Sequence, residues 1–161
     1  MCFSKMFPHV EWQPSDFQHD SLASIQAHMN EDPRDNVLPP LLIDVCDTYD
    51  RWNLKHDKYD YIFNANMLHI SPWKCTEFLF ANAGEVLKSK GIIFMYGPFA
   101  VDGVLEPKSN VEFDTTLKMN NPEWGIRDLR QVEAEASRSD IKLLEVQNLP
   151  ANNKLVIWQR D

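Results

Sequence analysis

Glycine is scarce in this chain of 161 residues: there are five, and the first is Gly84. No glycine-rich turn can therefore follow an early strand, where backbone would have to come close to a nucleotide-like ligand. Cysteine is scarcer still. Cys2, Cys46 and Cys75 form no CxxC pair, so no disulfide framework or structural zinc site is expected, and the sparse, odd set of thiols fits a reducing compartment. The five histidines (His9, His19, His28, His56, His69) show no HxxxH or HExxH spacing. Basic charge is thin and scattered, with 16 Lys and Arg against 24 Asp and Glu, a formal net charge of −8. That balance argues against long nucleic acid as a partner, because phosphate backbones are gripped by a concentrated basic face. Nowhere do about 18 apolar residues run together, so no membrane span is expected. The opening MCFSKMFPHV is too short and mixed for a secretory signal. A cytoplasmic location is expected, with the nucleus as the alternative.

What remains has the balance of an ordinary globular domain, 43% hydrophobic and 25% charged, and is long enough to bury one core. No repeat or Gly/Ser linker divides it, so residues 1–161 read as a single domain. Short apolar runs alternate with helical patterns, as in a parallel sheet covered by helices. His9 to Gln13 is a candidate strand ending at Pro14. Ser21 is a candidate cap for a helix carrying Leu22, Ile25 and Met29 on one face. After Pro39-Pro40, Leu41 to Val45 reads as a buried strand. Tyr59 to Ala65 reads as a central strand, with the helix expected before it missing or reduced.

The clearest helix starts with Ser71 as cap and Pro72 in the first position. Trp73, Phe80, Ala83 and Leu87 follow at helical spacing, and Gly91 stands where a left-handed terminus is wanted. Ile92 to Tyr96 is the next buried strand. Residues 101–126 have weak periodicity and read as a lid or binding loop. Leu129, Val132 and Ala136 mark another helix, whose charged residues Glu133, Glu135, Arg138 and Asp140 read as a solvated face. Two late strands, Ile141 to Val146 and Lys154 to Trp158, read as an antiparallel pair joined through Pro150 to Asn153.

Several strings carry a resemblance. Glu11-Trp12-Gln13-Pro14-Ser15-Asp16, Ala65-Asn66-Met67-Leu68-His69-Ile70-Ser71-Pro72-Trp73, Tyr96-Gly97-Pro98-Phe99, Asn121-Pro122-Glu123-Trp124-Gly125 and Pro150-Ala151-Asn152-Asn153 resemble blocks of the methyltransferase-like 26 family, in the same order. The resemblance implies an α/β fold with a Rossmann-like class I methyltransferase sheet, S-adenosylmethionine as cofactor, and an unassigned small-molecule or protein acceptor. Members should open with a helix, a strand and a turn of the Gly-Thr-Gly type. Here residues 1–8 look like the tail of that helix, so the expected sheet lacks its first, central strand and its glycine-rich loop. The chain is accordingly expected to be a shortened form with weak activity or none. The alternative is a non-catalytic protein-binding module that keeps the fold. A hydrolase is disfavoured, since no GxSxG elbow or Cys-His motif is present.

By position, the resemblance makes Asp16 the ribose carboxylate, and Asp44 to Asp47 the adenine segment. Asn64, Asn66 and Met67 would then face the methyl donor. Each has a plainer alternative: Asp16 as a turn residue, Asp44 and Asp47 as strand-end caps, the asparagines as turn formers. His69 follows the strand that would deliver catalytic groups and is the candidate base, against a role in fixing the loop before Ser71. Tyr96, Trp73 and Trp124 are candidate pocket walls, against ordinary core aromatics. No metal is expected.

Overall fold

The computed structural model describes residues 3–161; Cys2 lies outside the described residues. The chain forms two compact units, Met1–Leu54 and Lys55–Asp161.

The first unit contains α1 (Phe3–Met6), β1 (Ser15–Asp16), α2 (His19–Glu31) and β2 (Leu41–Leu42). The strand expected over His9 to Gln13 is not formed. Instead a parallel track runs from Trp12 to Asp16 against Asn36 to Ile43, through Trp12 N to Asn36 O (2.8 Å), Leu38 N to Trp12 O (2.9 Å), Leu41 N to Pro14 O (3.0 Å) and Ile43 N to Asp16 O (3.0 Å). Pro14, Pro39 and Pro40 have no N–H to give, so the regular ladder shrinks to two residues on each side. The expected strand Leu41 to Val45 is cut to Leu41–Leu42, because the chain turns at Asp44, whose carbonyl accepts from Asp47 N (3.0 Å) and whose Oδ1 accepts from Cys46 N (2.8 Å), and Leu42 is exposed. Ser21 does not cap α2. The helix begins three residues earlier, after Gln18, whose N–H donates to Asp16 Oδ1 at 2.9 Å. Leu22, Ile25 and Met29 are half-buried on one face, as the spacing implies. Only a 3-10 turn, Tyr49–Arg51, stands where a full helix would precede the next strand.

The second unit is built on a four-stranded mixed sheet of order β3-β4-β8-β7: β3 is Tyr59–Ala65, β4 Leu87–Gly97, β7 Ile141–Asn148 and β8 Lys154–Arg160. β3 and β4 are parallel, joined by the crossover helix α3 (Trp73–Val86). β8 lies between β4 and β7 and is antiparallel to both. The minor pair β5 (Phe99–Ala100) and β6 (Arg127–Asp128) frames α4 (Lys108–Asn120), and α5 (Leu129–Ala136) precedes β7.

One face of the sheet is dry. Ile93, Met95, Val156, Trp158 and Ile141 are at most 1% exposed, as are Phe80 and Ala83 of α3 and Val132 and Ala136 of α5. Phe80 meets Trp158 edge-on, with centroids 5.5 Å apart. The other face is only half-covered. Ile92, Phe94, Tyr96, Leu155 and Ile157 are half-buried, while Tyr61 and Phe63 of β3 are 55% and 46% exposed. β3 was expected in the centre of a sheet; in its unit it is an edge strand, laddered to β4 alone.

Three further expectations change. Pro72, not Ser71, occupies the position before α3, and the Ser71 hydroxyl donates to Met67 O at 2.9 Å. Lys90, not Gly91, takes the left-handed backbone (φ 64°); Gly91 is required for space, because a Cβ there would lie 2.9 Å from Lys88 O. Residues 101–126 are not an open loop. They hold the 13-residue α4, whose Asn110, Asp114 and Leu117 are buried at i, i+4 and i+7. Two of those three are polar, which is why hydrophobic periodicity fails to reveal the helix.

Among the described residues no helix is long and apolar enough to cross a membrane. Among the described residues no group of three or more His, Cys, Asp or Glu could hold a metal ion.

Candidate functional site

The parallel strands β3 and β4 both end at one place. Beyond β3 the chain turns at Asn66, whose backbone is left-handed (φ 59°) and whose N–H donates to Tyr96 O at 2.9 Å. A 3-10 turn, Leu68–Ile70, then presents His69. β4 ends at Gly97, where a Cβ would stand 3.5 Å from Asn66 Oδ1 and 3.6 Å from His69 Nδ1. A cavity of about 540 Å³ opens here, lined by Asn66, His69 and Pro98, by Ser109, Asn110 and Phe113 of α4, and by Ala151, Asn152 and Asn153 of the β7–β8 turn.

His69 is 6% exposed, and neither ring nitrogen has a hydrogen-bond partner among the described residues. Its ring meets Phe113 edge-on at 5.5 Å. Burial holds its pKa below the ordinary 6.5, and the nearby Arg127 cation pushes in the same direction. The imidazole is thus neutral near neutral pH and able to accept a proton.

Arg127 fixes the His69 turn from behind. Its Nε donates to Leu68 O at 3.0 Å, and its guanidinium also donates to Ser71 O (2.5 Å) and Glu123 O (2.8 Å). It lies 5.9 Å from the Trp73 ring centroid. Gly125 N donates to His69 O at 3.0 Å, so carbonyls on and around His69 are held by the segment that follows α4.

The α4 wall is tied to the opposite turn. Asn110 Nδ2 donates to Glu106 O (3.1 Å) and Asn152 O (3.4 Å), and Asn152 Nδ2 donates to Ser109 Oγ (3.2 Å). Asn153 Nδ2 donates to the Tyr96 hydroxyl at 3.0 Å. Asn66, Ala151 and Asn152 all line the cavity with left-handed backbones (φ 59°, 59° and 60°), a conformation most side chains avoid and one that gathers at functional sites.

The other sequence-nominated residues fall elsewhere. Asn64 reaches Met67 Sδ at 3.5 Å, and Met67 gives its carbonyl to Ser71 and Ile70, so both act in the turn under His69. Trp73 packs against Arg127 and Trp124 is half-buried; neither lines the cavity. In the first unit, Asp16 Oδ1 accepts from Gln18 N (2.9 Å) and Asp44 Oδ1 from Cys46 N (2.8 Å). Asp47 pairs with Arg51 at 3.5 Å. Sequence reasoning missed Ser109, Asn110, Phe113 and Arg127. The first three sit in a segment taken for loop, and nothing local marks Arg127, whose partners lie up to 59 positions away.

A parallel β-α-β crossover, an antiparallel final strand inserted beside it, and a cavity at the carboxyl ends of the parallel strands define a class I methyltransferase-like fold. Solved structures agree. LaPhzM is similar at 12% identity and TM-score 0.80, covering 99% of this chain and 45% of that one. An O-methyltransferase family protein from Burkholderia thailandensis is similar at 14% and 0.79, covering 98% and 46%. LepI, solved in complex with SAM, is similar at 13% and 0.76, covering 99% and 39%. This chain therefore spans less than half the length of each, and at such identities the likeness is one of fold. By sequence the chain belongs to the family described as "Protein of unknown function (DUF938)", which matches residues 1–160.

Proposed function

We propose that this chain is a methyltransferase-like protein, of the methyltransferase-like 26 type, whose second unit binds a methyl acceptor with His69 as the proton-accepting base. Its own grip on S-adenosylmethionine is weak or absent. The observation that carries this reading is the buried imidazole with both ring nitrogens unengaged, kept neutral at the mouth of β3 and β4. A neutral imidazole within reach of an acceptor O–H or N–H takes the proton as the nucleophile forms. Phe113 and Pro98 supply apolar wall, and Asn66 offers a carboxamide to orient the acceptor. The acceptor is a small molecule or a protein-borne group; neither nucleic acid nor metal enters this reading.

The residues present do not fit the whole cofactor. The carboxylates nominated for the adenosine end, Asp16, Asp44 and Asp47, are engaged by their own backbone or by Arg51. No glycine stands before Gly84 to let backbone approach the methionine end. A ligand that binds only the folded state stabilises it by about 2.7 kcal/mol at a hundred times its dissociation constant. The expected outcome is no saturable thermal shift with S-adenosylmethionine or S-adenosylhomocysteine at high micromolar levels; a clear saturable shift overturns that part. The base is tested in a family member with measurable methyl transfer. There His69→Ala should lower turnover by roughly 10²-fold while cofactor affinity holds, and preserved turnover per folded molecule would remove His69 from the chemistry.

A second reading, a non-catalytic module, is favoured by one observation: within its unit β3 is laddered on one side only, and it exposes Tyr61. Its occupant would be an extended strand of another protein added to that edge. Loss of capture of such a strand on Tyr61→Lys, with the melt unchanged, would support it.

A further inference from the structure

The protein carries a net charge of −8, yet no Lys, Arg, Asp or Glu lines the cavity at His69. The charges nearest in the fold are turned elsewhere. Asp114, one turn along α4 from Asn110, accepts from Ile126 N (2.7 Å) and pairs with Lys118 (2.6 Å). Arg127 has its donors on the Leu68, Ser71 and Glu123 carbonyls. A carboxylate or phosphate in this cavity would lose its water with no lining cation to pair with, and an ammonium would do so with no lining carboxylate.

The polar lining also carries open acceptors. Asn110 Nδ2 gives hydrogens to Glu106 O and Asn152 O, Asn152 Nδ2 gives one to Ser109 Oγ, and Asn153 Nδ2 gives one to the Tyr96 hydroxyl. Their Oδ1 atoms, and the neutral His69 ring, accept no hydrogen bond among the described residues. An asparagine carbonyl has two lone pairs to offer, so the cavity presents open acceptors beside the amide hydrogens that Asn66, Asn152 and Asn153 keep. Phe113, 40% exposed and edge-on to His69, offers a free ring face.

Resting on the reading of this cavity as the acceptor site, we infer that it takes an uncharged aromatic ligand bearing two or more O–H or N–H donors. The ring lies against Phe113, one donor meets His69, and another meets the carboxamide oxygens of the α4 and β7–β8 walls. Asn110, Asn152 and Asn153 are then the residues that set specificity.

The test uses the isotopically labelled chain and follows the His69 ring and the asparagine side-chain amides by NMR. Resorcinol, added at roughly 1–10 mM, the range such small fragments reach, should shift these signals saturably. Benzoate, benzylammonium and 1,3-dimethoxybenzene, which has the shape without the donors, should bind roughly five-fold or more weakly, the worth of one or two hydrogen bonds. Asn152→Asp should turn the preference toward benzylammonium. Equal or tighter binding of any of the three controls at the same residues, or no shift with resorcinol, overturns the inference. Resorcinol binding in a family that never transfers a methyl group would defeat the proposed function and leave the ligand class standing. Turnover on a charged acceptor would do the reverse.

Discussion

Replacing Arg127 with methionine keeps most of the side-chain stem and removes the guanidinium that holds the His69 turn. Three main-chain carbonyls lose a charged donor: Leu68 O, Ser71 O and Glu123 O. Glu123 is exposed, so water replaces that bond at little cost. Leu68 is 4% exposed and Ser71 half-buried, so their carbonyls are less easily rehydrated. Hydrogen bonds to charged groups contribute about 1.5–3 kcal/mol each, and half-exposure of the arginine puts both at the lower end. The expected loss is about 2–4 kcal/mol, a fall in melting temperature of roughly 8–15 °C for a unit of this size. Arg130→Met is the control, because its pairing with Asp102 is 78% and 68% exposed and should contribute almost nothing. The same variant has a second readout. With the cation gone, the His69 pKa should rise but stay below 6.5, because burial remains the larger cause. The sign of the pH effect follows. The folded-state value lies below the unfolded one, so the unfolded chain binds this proton first. The contribution of His69 is complete above about pH 6.5 and is lost as pH falls toward the folded value, by at most about 1.4 kcal/mol per pH unit. Arg127→Met should narrow that window. A melt within about 2 °C of wild type, or a His69 titration that does not move, would refute the clamp.

Gly125→Ala should cost about 1–3 kcal/mol in urea unfolding, since its backbone is at φ 150° and a Cβ would lie 2.9 Å from Asp114 Oδ1, displacing the carboxylate that holds Ile126 N; an unchanged midpoint would show that the α4 carboxylate moves freely. Amide exchange should be fast at residues 9–16 and 41–47, where proline limits the ladder to two residues, and slow along β4 and β8, which pair over six consecutive positions above a dry face. Uniform protection across both units would contradict that division.

The elements that read correctly from sequence are those whose burial is local and periodic. Tyr59 to Ala65 gives β3 at its stated bounds, Leu129, Val132 and Ala136 give the buried stripe of α5, and the turn at Pro150 to Asn153 joins an antiparallel pair. His69 and Asn66 could be nominated because polar residues interrupt an apolar run at the end of a strand, where backbone turns and side chains meet at a site. Other features depended on distant partners. Nothing in Tyr61-Ile62-Phe63 tells whether that strand has one neighbour or two, since a continuous apolar run is equally compatible with an edge and a centre. Helix α4 was hidden because Asn110 and Asp114 are buried by hydrogen bonding rather than by apolarity, to Glu106 and Asn152 in one case and Ile126 and Lys118 in the other. The cavity wall followed it out of view. Arg127 took its role only when folding brought the Leu68 and Ser71 carbonyls, 59 and 56 positions away, within reach of its guanidinium. Sequence alone determined β3, the buried stripe of α5 and the turn at Pro150 to Asn153, because those choices are settled within a few residues. Tertiary structure decided which polar groups are paired and which are left open toward a ligand, because a donor is spent only when its acceptor has been placed.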